Sequence, residues 1–129
     1  MKESDSMKSE IYIDKKSLRN TINTYLSNLL GQKIDVSIDL IEKYSGYRGF
    51  KERDIEISYE VKRRINDFEA VITSTLNSLD IKNILQAIIP EYEIETINID
   101  IGYHGYERIE EIDGLTIELK ENVLSLGKK

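Results

Sequence analysis

The sequence predicts an α+β fold of two layers, in which antiparallel strands form a sheet and helices cover one of its faces. Three observations predict this class. The pattern Gly-Tyr-x-Gly-aromatic occurs at residues 46–50 and again at 102–106. Both copies lie between runs in which apolar and polar residues alternate, as they do in strands with one buried face. Other apolar residues recur at three- and four-residue steps, which is the period of an amphipathic helix.

The chain opens with a short candidate strand and a helix. Residues 11–13 are apolar and aromatic, and they precede a run of apolar side chains at helical spacing. Asp14 or Ser17 can cap the start of that helix, because each offers a side-chain oxygen to the free backbone N–H groups. Gly31 follows the last apolar residue and is expected to end the helix in a left-handed conformation.

A hairpin and further helices are predicted next. Residues 34–40 and 55–61 alternate, so they are expected to pair as antiparallel strands with the first glycine segment at their end. Beyond these strands the apolar spacing changes to about four residues, which predicts a second helix that starts at Ile65. A shorter helix, capped by Asp80, is expected to end at Pro90, the only proline of the chain. One long kinked helix over both segments is the alternative.

The last third repeats the plan of the first. Alternating residues 97–101 lead into the second glycine segment, and the later Asp113-Gly114 pair is typical of a tight hairpin, so two short strands are expected there. Segments 15–61 and 66–119 then both read as helix, strand, glycine turn and strand. The predicted topology is therefore ferredoxin-like or a duplicated α-β-β arrangement. Chance convergence of two turns is the alternative to a true repeat.

Length and composition indicate one globular domain. The chain has 129 residues, and 40% of them are hydrophobic, which is enough for a single core. The domain is expected to span 10–121, between a disordered lead-in at 1–9 and a tail at 122–129. No segment has the pattern of a signal peptide or of a membrane span, so a cytoplasmic location and no membrane partner are expected.

No residue pattern points to catalysis, a metal or a cofactor. The chain has no cysteine, which excludes disulfides, thiolate zinc sites and cysteine nucleophiles. His104 is the only histidine, and Arg48 occupies the matching position of the first glycine segment. A solvated loop position is therefore expected for His104 rather than a ligand or a catalytic base. The glycine segments match neither dinucleotide-binding nor Walker phosphate loops.

The charges are unevenly divided along an acidic chain of net charge -6. Residues 43–64 contain seven basic and four acidic side chains, whereas residues 90–121 contain two basic and ten acidic ones. A basic segment with exposed aromatic rings can bind single-stranded nucleic acid. A carboxylate-rich surface instead suits a basic protein partner.

These patterns favour protein binding, because Tyr and Arg dominate the energetically important positions of protein interfaces. The expected partner is another protein, bound through the two glycine segments and their acidic surroundings. The candidate binding residues are Tyr44, Tyr47, Arg48, Phe50, Tyr103, His104, Tyr106, Glu107, Glu110 and Glu111.

The sequence therefore predicts a non-enzymatic protein-binding module, and a small acidic inhibitor or immunity-type protein is one form of it. In size and charge alone, the chain is similar to toxin-immunity proteins and to anti-restriction and anti-CRISPR inhibitors; no motif of theirs is present. One alternative is a nucleic-acid-binding domain that uses the basic aromatic segment 43–64. Another is a self-assembling subunit, in which the basic part of one copy meets the acidic part of the next.

Overall fold

The computed structural model describes residues 9–45 and 49–120, with only the backbone of residues 45 and 50. Most of the predicted lead-in and the whole predicted tail lie outside the described residues. Within them, six strands and two helices follow in the order β1 (Glu10–Asp14), α1 (Lys15–Leu30), β2 (Ser37–Ser45), β3 (Phe50–Ile65), β4 (Phe68–Leu76), α2 (Ser78–Ile88), β5 (Ile94–His104) and β6 (Ile109–Leu119).

Helix α1 has the start and the end that its sequence predicts. The Ser17 backbone N–H donates a hydrogen bond of 2.7 Å to the Asp14 carboxylate, which makes Asp14 the N-cap. Gly31 closes the last turn with a φ of 71°, a left-handed conformation that glycine adopts without steric cost. The buried side of the helix is formed by residues four apart, Leu18, Ile22 and Leu26.

The second predicted helix, which was expected to start at Ile65, is instead a strand. β3 continues to Ile65, Asn66 and Asp67 form a two-residue loop, and β4 pairs back on β3 with Phe68 opposite Ile65. Asn66 has a φ of 54°, which asparagine tolerates better than most residues. Between residues 68 and 76 β-branched side chains are frequent, and their restricted χ1 angles favour a strand over a helix.

Helix α2 begins three residues earlier than predicted, because Asn77 and not Asp80 is its cap. The Asn77 side chain accepts a hydrogen bond of 2.9 Å from the Asp80 backbone N–H. The Asp80 carboxylate in turn accepts one of 3.0 Å from the Asn77 N–H. This reciprocal pair is a capping box, so Asp80 is the third residue of the helix.

β6 is one strand, which contradicts the hairpin predicted from the Asp113-Gly114 pair. Gly114 lies opposite Asp100 of β5, whereas Ile112 lies opposite the very next residue of β5. Asp113 is therefore the extra residue of a β-bulge. The bulge shifts the alternation by one residue, so Ile112 and Leu115 are both buried although they are three positions apart.

The strands form two three-stranded antiparallel sheets, ordered β1-β6-β5 and β2-β3-β4. The antiparallel α+β class is confirmed, but the single sheet is not, because β1 pairs with β6 while β4 extends the sheet of β2 and β3. Neither the ferredoxin-like nor the duplicated α-β-β arrangement is confirmed. The element order is strand, helix, strand, strand, twice, and the first strand of each half pairs with the last strand of the other.

One hydrophobic core is shared by both sheets and both helices. Helix α1 contacts β1, β6 and β2, and helix α2 contacts β5, β3 and β4, so each helix touches both sheets. Side chains from all of these layers are fully buried, among them Ile22, Ile57, Ile81 and Leu115. In the described part of the chain, neither helix combines the length and the apolar character needed to cross a membrane.

Gly114→Ala is expected to lower the free energy of unfolding by about 1–3 kcal/mol, the usual cost of overpacking. A Cβ at this position would overlap the Ile13 backbone carbonyl oxygen of β1, which cannot move without disturbing the strand pairing. Gly102→Ala is the matched control, because its Cβ would meet the Asp113 carboxylate, which can rotate away. Urea unfolding measures both variants, and an equal loss would contradict the explanation for Gly114.

The Asp14 cap is expected to make part of the stability depend on pH. The hydrogen bond from the Ser17 backbone N–H lowers the pKa of Asp14 below its ordinary value of 3.8. The contribution of the ionised Asp14 side chain to the free energy of unfolding is therefore complete above pH 3.8. It is lost as the pH falls through the lowered pKa of Asp14 in the folded state. Asp14→Asn keeps a capping oxygen but cannot titrate, so acid titration of stability should show a smaller loss in the variant than in the wild type. Identical titration curves would contradict this role.

Candidate functional site

The ends of the two hairpins lie side by side, held by an ion pair between the sheets. Arg53 of β3 places its Nη2 atom 2.8 Å from the Glu110 Oε1 atom of β6. The Glu110 side chain is only 27% exposed, so this contact is partly shielded from water. Strands β2 and β6 are also in contact. The ion pair therefore joins the β2-β3 hairpin to the β5-β6 hairpin near their glycine segments.

In the β2-β3 hairpin, the face that forms the core continues toward the hairpin end as an aromatic and charged surface. Leu40 lies opposite Ile55, and the next pairs on the same face are Glu42 with Arg53 and Tyr44 with Lys51. Lys51 lies 3.6 Å from the Glu42 carboxylate and 5.9 Å from the centroid of the Tyr44 ring. These contacts hold the Lys51 ammonium group over the ring.

The β5-β6 hairpin continues its core face in the same way. The buried Ile112 lies opposite Ile101, and the next pair on this face is Glu110 with Tyr103. Arg108 follows in the turn, with its guanidinium carbon 5.6 Å from the centroid of the Tyr103 ring. Each hairpin end thus presents one tyrosine with a cation against its ring, and the Arg53–Glu110 ion pair lies between the two ends.

These tyrosines are too exposed to serve the core. Tyr44 is 69% exposed, Tyr103 is 56% exposed and Tyr106, in the turn, is completely exposed. We call the surface formed by Glu42, Tyr44, Lys51, Arg53, Tyr103, Tyr106, Arg108 and Glu110 the paired hairpin ends. Aromatic rings beside fixed charges offer apolar contact area together with hydrogen-bonding groups, as protein interfaces do.

The opposite face of the β5-β6 hairpin carries a second polar cluster. Gly102 leaves room for the Asp113 carboxylate, which occupies the place where a Cβ of residue 102 would project. Asp113 Oδ1 lies 2.6 Å from His104 Nε2, and the Tyr12 hydroxyl donates to the Asp113 carbonyl oxygen at 3.4 Å. The pKa of Tyr12 is raised above its ordinary value. Partial loss of hydration is the largest cause, and the negative charge of nearby carboxylates, of which Asp100 contributes most, is the next.

The cluster around His104 has no third partner that would complete a metal site. Among residues 9–45 and 49–120, no three His, Asp or Glu side chains are arranged to hold a metal ion. His104 is exposed, as predicted, but it is the last residue of β5 rather than a loop residue, and it contacts Asp113. The His104–Asp113 hydrogen bond is a surface contact between β5 and the bulge of β6.

The structure brings together some of the predicted binding residues and separates others. Tyr44, Tyr103, Tyr106 and Glu110 belong to the paired hairpin ends, and Glu107 lies in the same turn as Tyr106. His104 and Glu111 lie on the opposite face of the same hairpin, as their strand register shows. The side chains of three other predicted residues are not described. Tyr47 and Arg48 lie outside the described residues, and only the backbone of Phe50 is described.

Sequence reasoning missed the part that Arg53 and Asp113 play. Arg53 was grouped with a basic segment, yet it binds a carboxylate from the acidic part of the chain. Asp113 was assigned to a turn, yet its bulge directs its carboxylate toward His104. The only sequence signal for either contact is the opposite charge of the two halves, which identifies no specific pair.

A separate open groove of about 580 Å³ lies beside the β2-β3-β4 sheet, away from the hairpin ends. It is lined by polar residues, among them Gln32, Asp35, Ser58, Tyr59 and Lys62. Gln32 is held in place by accepting from the Lys62 N–H at 2.8 Å and donating to the Lys62 carbonyl at 3.1 Å. These bonds connect the segment after α1 to β3, so the position of Gln32 in the groove is explained by its role in holding the fold together.

Comparisons with protein-family models, with curated proteins and with solved structures found no match to this chain. Any function must therefore be argued from the residues and their arrangement alone.

The Arg53–Glu110 contact is expected to contribute up to about 1 kcal/mol, the upper range for partly exposed ion pairs. A double-mutant cycle with Arg53→Ala and Glu110→Ala, followed by urea unfolding, measures this coupling. The control cycle uses Arg64→Ala and Glu69→Ala, whose closest atoms are 3.9 Å apart on exposed side chains, and a coupling near zero is expected there. A coupling of zero in the first cycle would contradict the role of Arg53 in joining the hairpins.

Proposed function

We propose that this protein is a non-enzymatic protein-binding module that recognises another protein with the paired hairpin ends. The observation that carries the proposal is the Arg53–Glu110 ion pair, because it brings exposed tyrosines from two different sheets onto one surface. A ring that is more than half exposed contributes little to its own fold. Tyr44, Tyr103 and Tyr106 are therefore available as anchors for a partner.

The charged groups around these rings support preorganised binding. Lys51 is held by Glu42, and the Tyr103 ring lies against Arg108. Side chains that are already held in one conformation lose less entropy when a partner binds. Because Glu110 is engaged by Arg53, the acidic group offered to a partner at this end is Glu107. Glu111 is also exposed, but it lies on the opposite face of the β5-β6 hairpin, where it adds to the negative charge of that hairpin.

The inhibitor form of the proposal adds that the partner carries a basic surface. The chain has a net charge of -6, and its acidic part includes the β5-β6 hairpin. Complementary charge accelerates association and can let an acidic protein occupy the basic channel of a nucleic-acid enzyme. This form and the cytoplasmic location expected from the sequence remain proposals.

The nucleic-acid alternative is weakened by the local pairing of its cations. Lys43, Lys51 and Arg53 each lie within 4.0 Å of a carboxylate, whereas the Arg64–Glu69 contact is long and exposed and neutralises Arg64 little. Asp54 illustrates the effect, since its hydrogen bond raises the pKa of Lys43. Cations that are already neutralised release fewer counterions from a phosphate backbone, so they contribute less to nucleic-acid affinity.

A retention experiment tests the protein-binding proposal. Immobilised wild-type protein is incubated with a lysate of the native host, and retained proteins are quantified by mass spectrometry. The triple variant Tyr44→Ala, Tyr103→Ala, Tyr106→Ala should retain a wild-type partner at least about tenfold less, as expected for the loss of interface anchors. Leu29→Ala is the control, because Leu29 is 65% exposed on α1 and lies outside the paired hairpin ends.

Charge variants then separate the two forms of the proposal. Glu107→Lys with Glu111→Lys should weaken binding of the retained partner, with a larger effect at low salt, if the acidic surface contributes. Unchanged affinity would eliminate the inhibitor form that depends on acidic groups. A partner retained equally by the triple tyrosine variant would eliminate the paired hairpin ends as the binding surface. Binding of a labelled oligothymidine would favour the nucleic-acid alternative instead.

A further inference from the structure

Strand β4 is an outer strand of its sheet and lacks the features that normally keep outer strands from pairing. Its sequence from Phe68 to Leu76 contains one charged residue, Glu69, and no proline. Its register with β3 is regular throughout, without a bulge. By contrast, the pairing of the outer strand β5 with β6 has two register shifts, one of them with its extra residue in β5, and β1 is only five residues long. Outer strands of natural sheets usually have charges, bulges or short lengths that block association.

The core side of the β3-β4 hairpin extends beyond the part that the rest of the protein covers. Val61 is buried opposite Ile72, but farther along the same face Ile65 and Phe68 are 41% and 57% exposed. Ile72 itself is 42% exposed. Leu79, in the first turn of α2 beyond the other end of β4, is 61% exposed. Exposed apolar side chains thus lie at both ends of the same outer strand.

We propose that β4 pairs with β4 of a second copy of this chain, antiparallel about a two-fold axis at Ile72, to form a continuous six-stranded sheet. The register centred on Ile72 is the one that pairs all nine residues of the strand. It would satisfy the outward N–H and C=O groups of both strands and place the same apolar face of both copies on one side.

A second copy is the occupant that best fits the distribution of charge. In this register Glu69 lies opposite Thr75, so no two like charges face each other. Val71 lies opposite Thr73, and Phe68 lies opposite Leu76. A parallel strand or a shifted register would lose some of these residue pairs. The two-fold axis instead forms each pair twice, once on either side of Ile72.

The exposed apolar ends also match under the same two-fold axis. Antiparallel pairing brings the Ile65 and Phe68 end of one copy to the Leu76 and Leu79 end of the other. Ile65, Phe68 and Leu79 are exposed in the single chain and Leu76 is half-buried, and each end would find an apolar counterpart. The added contact matters because a stable interface buries more area than the backbone of one strand pair supplies.

This dimer is independent of the protein-binding proposal. β4 pairs with residues 57–65 of β3, whereas the paired hairpin ends use residues 51–53 of the same strand. It also differs from charge-driven head-to-tail assembly, since its contacts are apolar and backbone. The interface should therefore persist at high salt.

Sedimentation equilibrium over a wide range of concentration tests the proposal. The wild-type mass should rise from 15.0 kDa toward twice that value, at low and at high salt alike. Val71→Glu with Thr73→Glu places carboxylates opposite each other across the axis, so this variant should remain monomeric. Val71→Lys with Thr73→Lys should do the same. An equimolar mixture of the two variants should restore the dimer, because every opposed pair then has opposite charges.

The control variant, Thr24→Glu with Asn98→Glu, adds the same charge at exposed positions of α1 and β5 and should dimerise like the wild type. Circular dichroism verifies that all variants are folded. A wild-type monomer at every concentration would overturn the proposal, and so would a dimer that the Val71 and Thr73 variants do not disrupt. An oligomer that dissociates at high salt would favour head-to-tail assembly instead. Failure of the mixture to dimerise would exclude the register centred on Ile72.

Discussion

The fold depends on a reciprocal exchange of strands between the two halves of the chain. β1 belongs to the first half but completes the sheet of β5 and β6, and β4 belongs to the second half but completes the sheet of β2 and β3. A hairpin alone is marginally stable in water, and a third strand with an apolar face is usually needed. Each half therefore supplies the strand that stabilises the other, so the two halves form one folding unit around a common core.

The bulge at Asp113 lets β6 occupy the centre of its sheet. It brings Ile112 and Leu115 to the same buried side, while Gly114 gives β1 space to approach. The same extra residue turns a carboxylate toward His104. A single irregularity in one strand thus determines both the packing of the sheet and the polar cluster on its outer face.

The sequence predicted the elements whose local signals have one interpretation. Asp14 and Gly31 delimit α1, and the alternation in β2, β3 and β5 is visible without tertiary information. The β4 error arose because Phe68, Ile72 and Leu76 are four residues apart, a spacing compatible with both a helix and a strand. The β-branched residues between them were the better guide. The division into two sheets could not be predicted, because β1 and β6 are separated by almost the whole described chain.

The candidate site was partly predictable for a similar reason. Tyr44, Tyr103 and Tyr106 follow from the repeated glycine segments, since aromatic residues at hairpin ends are visible in the sequence. Their assembly on one surface depends on Arg53 and Glu110, which belong to different sheets. The charge difference between the halves suggested contacts between separate copies. The structure shows that at least one contact between the basic and the acidic part, the Arg53–Glu110 ion pair, is made within a single chain.

The pairing of β1 with β6 also has a consequence for the order of events during synthesis. Glu10 lies opposite Glu118, so β1 leaves the ribosome long before its partner β6 has been synthesised. The β2-β3-β4 meander needs only short loop closures and can form earlier. During this interval the apolar side chains of β1 and α1 stay without their final cover. The nascent chain is then most exposed to aggregation and to chaperone binding.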